Sequence, residues 1–341
     1  NETTASVTRL ADQFIDAALS RLHEWAIAEA GEPMGAASGA PQRLVVIALG
    51  KLGAGELNLS SDVDLIFAYP ELGATRDGRT NQQFFLRLSQ RLIQVLDTIT
   101  TDGFVFRVDM RLRPYGDSGA LVLHFDGIEA YYEEQGRDWE RYAWIRARPC
   151  AGDRNAGQRL IDALKPFVFR RYLDFGAIEA LRAMKARIDG ERDRLAMRSD
   201  VKLGPGGIRE VEFIAQMHQL IWAGRQRALQ CRGVVETLAV LARLKLMPVE
   251  QTRQLASDYE WLRNVEHALQ AIADHQTQLL PTTPLDQARI AYGMGYADYP
   301  SFVAALDVRR KRVSAAFDSL LDAVSEPDRD ETLERWRPAC R

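Results

Sequence analysis

Asp62 and Asp64 stand two residues apart at the head of an apolar run, Val63 to Tyr69, that reads as a buried strand. Side chains two apart on a strand share a face, so the two carboxylates can converge on one cation while Val63 turns into the core. Paired hard oxygen donors suit Mg²⁺, which keeps much of its coordination shell for water and substrate phosphates. An Asp-x-Asp alone is a common accident, and its neighbourhood carries the argument. A second short apolar run, Leu44 to Leu49, precedes it, and between the two lies a glycine-rich turn with Gly50, Gly53 and Gly55. Such a turn lets backbone approach a ligand closely and presents N–H groups to a diphosphate or triphosphate. Its spacing matches neither a dinucleotide-binding nor a Walker loop. Gly50, Lys51, Gly53, Ser60 and Ser61 are therefore the candidate nucleotide and phosphate contacts.

A later alternating segment carries another carboxylate. Phe104 to Arg111 alternates with period two, which places Asp109 on one face with Arg107 and Arg111. Asp109 then completes the candidate catalytic and metal-ligating set Asp62, Asp64 and Asp109, and Arg111 and Arg113 supply planar donors to phosphate oxygens. The plainer alternative is that the carboxylate and the arginines pair with one another.

Around this segment the pattern is mixed. Residues 6–30 and 81–98 carry apolar groups at helical spacing. From about residue 126 onward it is nearly all helical, with stretches near 126–146, 177–193, 207–223, 234–245, 249–273 and 299–323. The expected organisation is an N-terminal helical segment (1–35), an α+β catalytic domain with a mixed sheet (36–150), a predominantly helical domain (151–325) and a polar tail (326–341). The helical half takes its core from Phe167, Phe169, Phe213, Trp222, Trp261 and Phe317. His218, His267 and His275 lack zinc-site spacing and read as buried or surface-polar groups.

Composition excludes several classes. A net charge of −3 over 341 residues, with no long basic block, argues against a nucleic-acid-tracking surface. Cys150, Cys231 and Cys340 are too scattered for a disulfide framework, which favours a reducing, cytoplasmic setting. No apolar run approaches the ~20 residues that span a bilayer. The start, Asn1-Glu2-Thr3, reads as that of a fragment or processed chain.

A strand ending in Gly followed by a strand bearing Asp-x-Asp resembles the nucleotidyltransferase fold of the polymerase beta superfamily. Longer strings are similar to one family. The segments from Gly50 to Phe67 (GKLGAGELNLSSDVDLIF), Arg107 to Pro114 (RVDMRLRP), Glu134 to Tyr142 (EQGRDWERY) and Gly206 to Phe213 (GGIREVEF) resemble the glutamine synthetase adenylyltransferase/adenylyl-removing family. The resemblance covers about residues 40 to 325. Ser60-Ser61-Asp62 looks like the deadenylating half of that family rather than the transferase half, which usually carries Gly-Ser-Asp. Ala54 departs from a Gly common there.

The resemblance implies phosphorolysis of AMP from a tyrosine of adenylylated glutamine synthetase, consuming inorganic phosphate and giving ADP. It also implies Mg²⁺ as cofactor, the PII signalling protein (including its uridylylated form) as partner, and Glu140 as a candidate additional acid. Rival expectations are ATP-dependent adenylyl transfer to the same tyrosine, a regulatory binding module with an idle site, and a nucleic-acid polymerase relative. The Gly204-Pro-Gly-Gly207 turn is a candidate anion site at a helix start, with a plain turn as its alternative.

Overall fold

The computed structural model describes residues 2–171, 199–272 and 276–325. The chain divides into two compact units, residues 1–168 and 169–341.

The first unit opens with helix α1 (Glu2–Ala30), which buries Ala11, Ile15, Leu19, Leu22, Ala26 and Ala30 along one face. Two aspartates on α1 tie it down. Asp12 accepts a fork from Arg148 (2.7 and 3.0 Å), and Asp16 accepts the Gly152 amide at 2.9 Å. There follow β1 (Met34–Gly35), β2 (Val45–Ala48), α2 (Gly50–Ala54), β3 (Val63–Tyr69), β4 (Gly73–Ala74), α3 (Asn81–Asp97), β5 (Val108–Asp109), β6 (Val122–His124), α4 (Phe125–Glu134), α5 (Asp138–Trp144), β7 (Arg148–Gly152) and α6 (Arg154–Val168).

The main sheet is mixed. β7, β2 and β3 run antiparallel in that order, and β5 and β6 both lie parallel to β3 along its other edge. β5 pairs with Val63 and Asp64, and β6 with Phe67 to Tyr69. A separate antiparallel pair joins β1 to β4.

Helices cover the sheet, which is why β2 is buried throughout and reads as an unbroken apolar run. Val46, Ala48, Val63, Leu65, Phe67 and Tyr69 form one core with α1 and α3. Val45 and Ile47 face the other way, where Gly157 of α6 leaves room for them; a Cβ there would sit 2.9 Å from Val45 Cγ1. Asp64 lies out of phase with Val63 and Leu65 and so belongs to the face opposite the α1–α3 core. α3 starts with a reciprocal cap between Thr80 and Gln83.

Four sequence expectations change. The strand over 104–111 shrinks to Val108–Asp109, because the amides of Val105 and Phe106 both cap the Leu96 carbonyl at the end of α3. The glycine turn is a five-residue helix, closed by Gly55 at φ +78°. The stretch beyond 126 is not all helical: β7 joins the sheet beside β2, and the helix expected over 126–146 breaks into α4 and α5. Phe167 packs on Tyr132 at 4.9 Å, within the first unit rather than the helical half.

The second unit contains α7 (Ile208–Trp222), α8 (Val234–Arg243), α9 (Val249–Ala271), α10 (Pro284–Gly293) and α11 (Tyr299–Ser325). Phe213 meets Phe317 edge-on at 5.4 Å, and Trp261 stacks on Phe302 at 5.8 Å. Arg312 forks onto the buried Asp258 (3.0 and 2.6 Å), joining α11 to α9. His218 is buried, with Nδ1 2.9 Å from the Ile214 carbonyl, and burial holds its pKa below the ordinary histidine value. The expected helix at 177–193, His275, Cys340 and the tail from 326 lie outside the described residues. Among the described residues, no helix is long and apolar enough to cross a membrane.

Candidate active site

β3 and β5 bring the central pair together. In their parallel register Val63 is opposite Val108 and Asp64 is opposite Asp109, so the two carboxylates leave adjacent strands side by side on one face. The Val63 amide donates to the Arg107 carbonyl at 2.9 Å, and the Leu49 amide to the Asp64 carbonyl at 2.9 Å. Asp64 is thus held between the end of β2 and the start of β5.

The glycines have separate reasons. Gly50 sits at φ +52°, and a Cβ there would run into Asp64 Oδ2, so the residue leaves that carboxylate its space. A Cβ on Gly53 would strike the carbonyls of Arg146 and Ala48, which makes Gly53 a packing requirement. Lys51 is half-buried in α2, and its carbonyl accepts the Glu56 amide at 2.8 Å.

Asp62 and Asp109 each hold an arginine. Arg107 donates Nε to Asp62 Oδ1 at 2.8 Å and reaches the Ser60 carbonyl (3.1 Å) and hydroxyl (3.2 Å). Its guanidinium also lies over the Phe104 ring, 5.2 Å from the centroid. Ser60 is buried beneath this contact and Ser61 is half-buried. Arg111 donates Nε to both Asp109 oxygens (3.1 and 3.0 Å), and its own amide donates to Oδ1 at 2.8 Å. These hydrogen bonds hold the Asp109 carboxyl below the usual carboxylate range and push the Arg111 guanidinium up. The arginine–carboxylate pairing weighed as the plainer alternative is therefore present.

Arg113 behaves differently. It donates to the carbonyls of Met110 (2.7 Å), Asp117 (3.2 Å) and Gly119 (3.4 Å), pinning the loop after β5. Glu140 is fully buried between α4 and α5, where it accepts the Tyr131 hydroxyl (2.7 Å) and the Arg137 amide (2.8 Å). Among the described residues no hydrogen bond links it to the three aspartates. At the Gly204–Gly207 turn, the amides of Ile208, Arg209 and Glu210 donate to the carbonyls of Val201, Lys202 and Gly207. Those helix-start donors are already paired, as in the plain-turn alternative.

Among the described residues no three His, Cys, Asp or Glu side chains are already gathered as a cation site. The donor set nonetheless fits a hard divalent ion. Asp64 and Asp109 are register partners, Asp62 is two residues upstream of Asp64, and Asp62 and Asp109 each attract a guanidinium. Sequence reasoning gave Arg107 only as a neighbour of Asp109. Its grip on Asp62 and Ser60 crosses 45 and 47 positions and carries no local signal.

Residues 1–163 match the family model described as glutamate-ammonia ligase adenylyltransferase, and residues 181–321 match that described as GlnD PII-uridylyltransferase. The chain is 51% identical over 99% of its length to the bifunctional glutamine synthetase adenylyltransferase/adenylyl-removing enzyme of Nitrosococcus oceani. It is 54% identical over 96% of its length to the enzyme of that name from Pseudomonas syringae pv. tomato, and 52% over 98% to that from Pseudomonas aeruginosa. The chain belongs to the glutamine synthetase adenylyltransferase/adenylyl-removing family. It spans about a third of the length of these curated relatives, 35% in the first case and 34% in the other two. The mixed sheet of the first unit is the nucleotidyltransferase-type fold expected of a family member, with Asp62 and Asp64 at the head of its third strand and Asp109 on the neighbouring one.

Proposed function

We propose that this chain removes AMP from an adenylylated tyrosine of glutamine synthetase by phosphorolysis, in the cytoplasm, releasing ADP. The observation that carries the reading is the in-register pairing of Asp64 with Asp109, with Asp62 two residues before. Asp62, Asp64 and Asp109 would hold Mg²⁺, which when bound supplies neutralisation of the reacting phosphates. Inorganic phosphate is already anionic and needs no strong general base, so the protein's task is to orient it and offset its charge. Arg111 is the natural donor, being exposed at the end of β5. Arg113 shapes the loop that presents it. Of the expected nucleotide contacts, the half-buried Gly50, Lys51 and Ser61 are the ones proposed to meet the nucleotide, while the buried Gly53 and Ser60 support them from beneath.

A phosphate oxygen bonds to the adenylyl phosphorus as the P–O bond to tyrosine breaks. The phenolate then takes up a proton to leave free tyrosine and ADP. A phenol with a pKa near 10 departs more readily than an alkyl alcohol. The PII protein is the proposed regulator. A second reading, adenylyl transfer from ATP to the same tyrosine, is favoured by the bifunctional names of the relatives.

The test is product release from adenylylated glutamine synthetase with Mg²⁺, with and without inorganic phosphate. ADP that appears only with phosphate supports phosphorolysis. AMP released without phosphate would mean hydrolysis, and AMP incorporated from ATP into unmodified glutamine synthetase would favour the transferase reading.

A further inference from the structure

We propose that Arg111, seconded by Arg107, is a displaceable counter-ion that couples cation binding to oxyanion binding at the Asp62, Asp64 and Asp109 edge. The inference rests on the functional reading above. Both arginines come from one short segment around β5, and each engages a different carboxylate of the set. Arg111 forks onto Asp109 with its own side chain 74% exposed and that of Asp109 only 14% exposed. It can therefore swing into solvent without disturbing packing. Arg107 is the stiffer member, since Ser60 and Phe104 hold it as well. Arg113 is excluded from the device because backbone carbonyls engage its donors and its side chain is 12% exposed.

Competition follows from the chemistry of the groups. A divalent cation and a guanidinium seek the same lone pairs of Asp109, while a phosphate-type oxyanion and Asp109 seek the same guanidinium donors. An oxyanion that draws Arg111 away leaves the carboxylate for the cation. A cation that takes Asp109 leaves Arg111 for the oxyanion. Each ligand thus removes the other's competitor, and by linkage the two affinities rise by the same factor. As the edge stands, Arg107 and Arg111 already occupy Asp62 and Asp109, which disfavours either ligand binding alone.

The experiment is calorimetric titration of the 341-residue chain with Mn²⁺, with and without inorganic phosphate, for the wild type, Arg111→Gln and Asp64→Asn. In the wild type, phosphate should tighten Mn²⁺ binding about tenfold, within the usual range for coupled sites. Arg111→Gln should bind Mn²⁺ several-fold more tightly than the wild type without phosphate, because Asp109 is released, and phosphate should then change its affinity less than about twofold. The proposal is overturned if Arg111→Gln binds Mn²⁺ no more tightly than the wild type, or keeps the full phosphate effect. Asp64→Asn separates the two readings. Lost Mn²⁺ binding in that variant with an unchanged Arg111→Gln overturns the coupling alone, whereas wild-type Mn²⁺ affinity in Asp64→Asn overturns the cation site itself. Arg111 is exposed, so its variant should retain the fold, which far-ultraviolet circular dichroism checks.

Discussion

Asp64 and Asp109 are paired residue to residue across β3 and β5, which places two acids from segments 45 positions apart on one face of the sheet. Like charges held this close disfavour one another unless a cation intervenes. Arg111 on Asp109 is one such cation. Asp64→Asn and Asp109→Asn should each reduce phosphate-dependent ADP release by on the order of 10³-fold or more. The fold should survive, since Asn is isosteric. Turnover within a few-fold of wild type in either purified variant would remove these residues from the chemistry.

Gly50 and Gly55 make a controlled comparison. Both have positive φ, +52° and +78°, so an alanine at either costs about 1–2 kcal/mol of backbone strain. Only at Gly50 does the added Cβ meet the Asp64 carboxylate; at Gly55 it meets open space. Gly50→Ala should lose at least as much stability as Gly55→Ala in urea unfolding, and Gly50→Ala alone loses turnover. If both variants lose activity equally, the spacing role of Gly50 is wrong.

Glu140 is fully occupied by Tyr131 and Arg137. Burial of Tyr131 itself raises its hydroxyl pKa, and the hydrogen bond to Glu140 is the second cause. Glu140→Gln turns one acceptor into a donor and should destabilise by about 1–3 kcal/mol. Turnover at temperatures well below unfolding should be largely retained, because the hydrogen bonds of Glu140 go to Tyr131 and Arg137 rather than to the aspartates. A large fall in turnover with stability intact would instead make Glu140 the additional acid.

His23 should make the first unit acid-sensitive. Among the described residues its Nε2 is buried without a hydrogen-bond partner, and it packs edge-on against Phe84 at 5.8 Å. Burial, aided by the charge of Arg43, lowers its pKa from 6.5 to about 4. The unfolded chain therefore binds a proton that the folded one refuses between those values. Stability is complete above pH 6.5 and falls as the pH drops toward about 4. The loss is on the order of 1–3 kcal/mol after allowance for partial solvation. Urea midpoints measured across this range should lose much of their slope in His23→Leu; an unchanged slope would assign the acid sensitivity elsewhere.

Much of the site was legible because its signals are local. Period two set Asp64 out of phase with Val63, which lies in the core. An apolar run buried on both sides announced β2, and helical spacing announced α1, α3, α7 and α9. What the sequence could not carry were relations between distant segments. The alternation over 104–111 promised a full strand, but the end of α3 needed the amides of Val105 and Phe106 more than the sheet did. β7 has no strand signature, with Pro149 and Gly152 inside it, and becomes a strand only because β2 offers it an edge and α1 offers Asp12 to Arg148. Likewise, nothing local assigns Arg107 to Asp62, 45 positions away, whereas the pairing of Arg111 with Asp109, two residues apart, was one of the readings the spacing offered. Composition and spacing determined which residue types carry the chemistry and which faces are apolar. Tertiary structure decided the partner of each charge, because a buried or half-buried charge is stabilised by whichever opposite group the fold brings within hydrogen-bond reach.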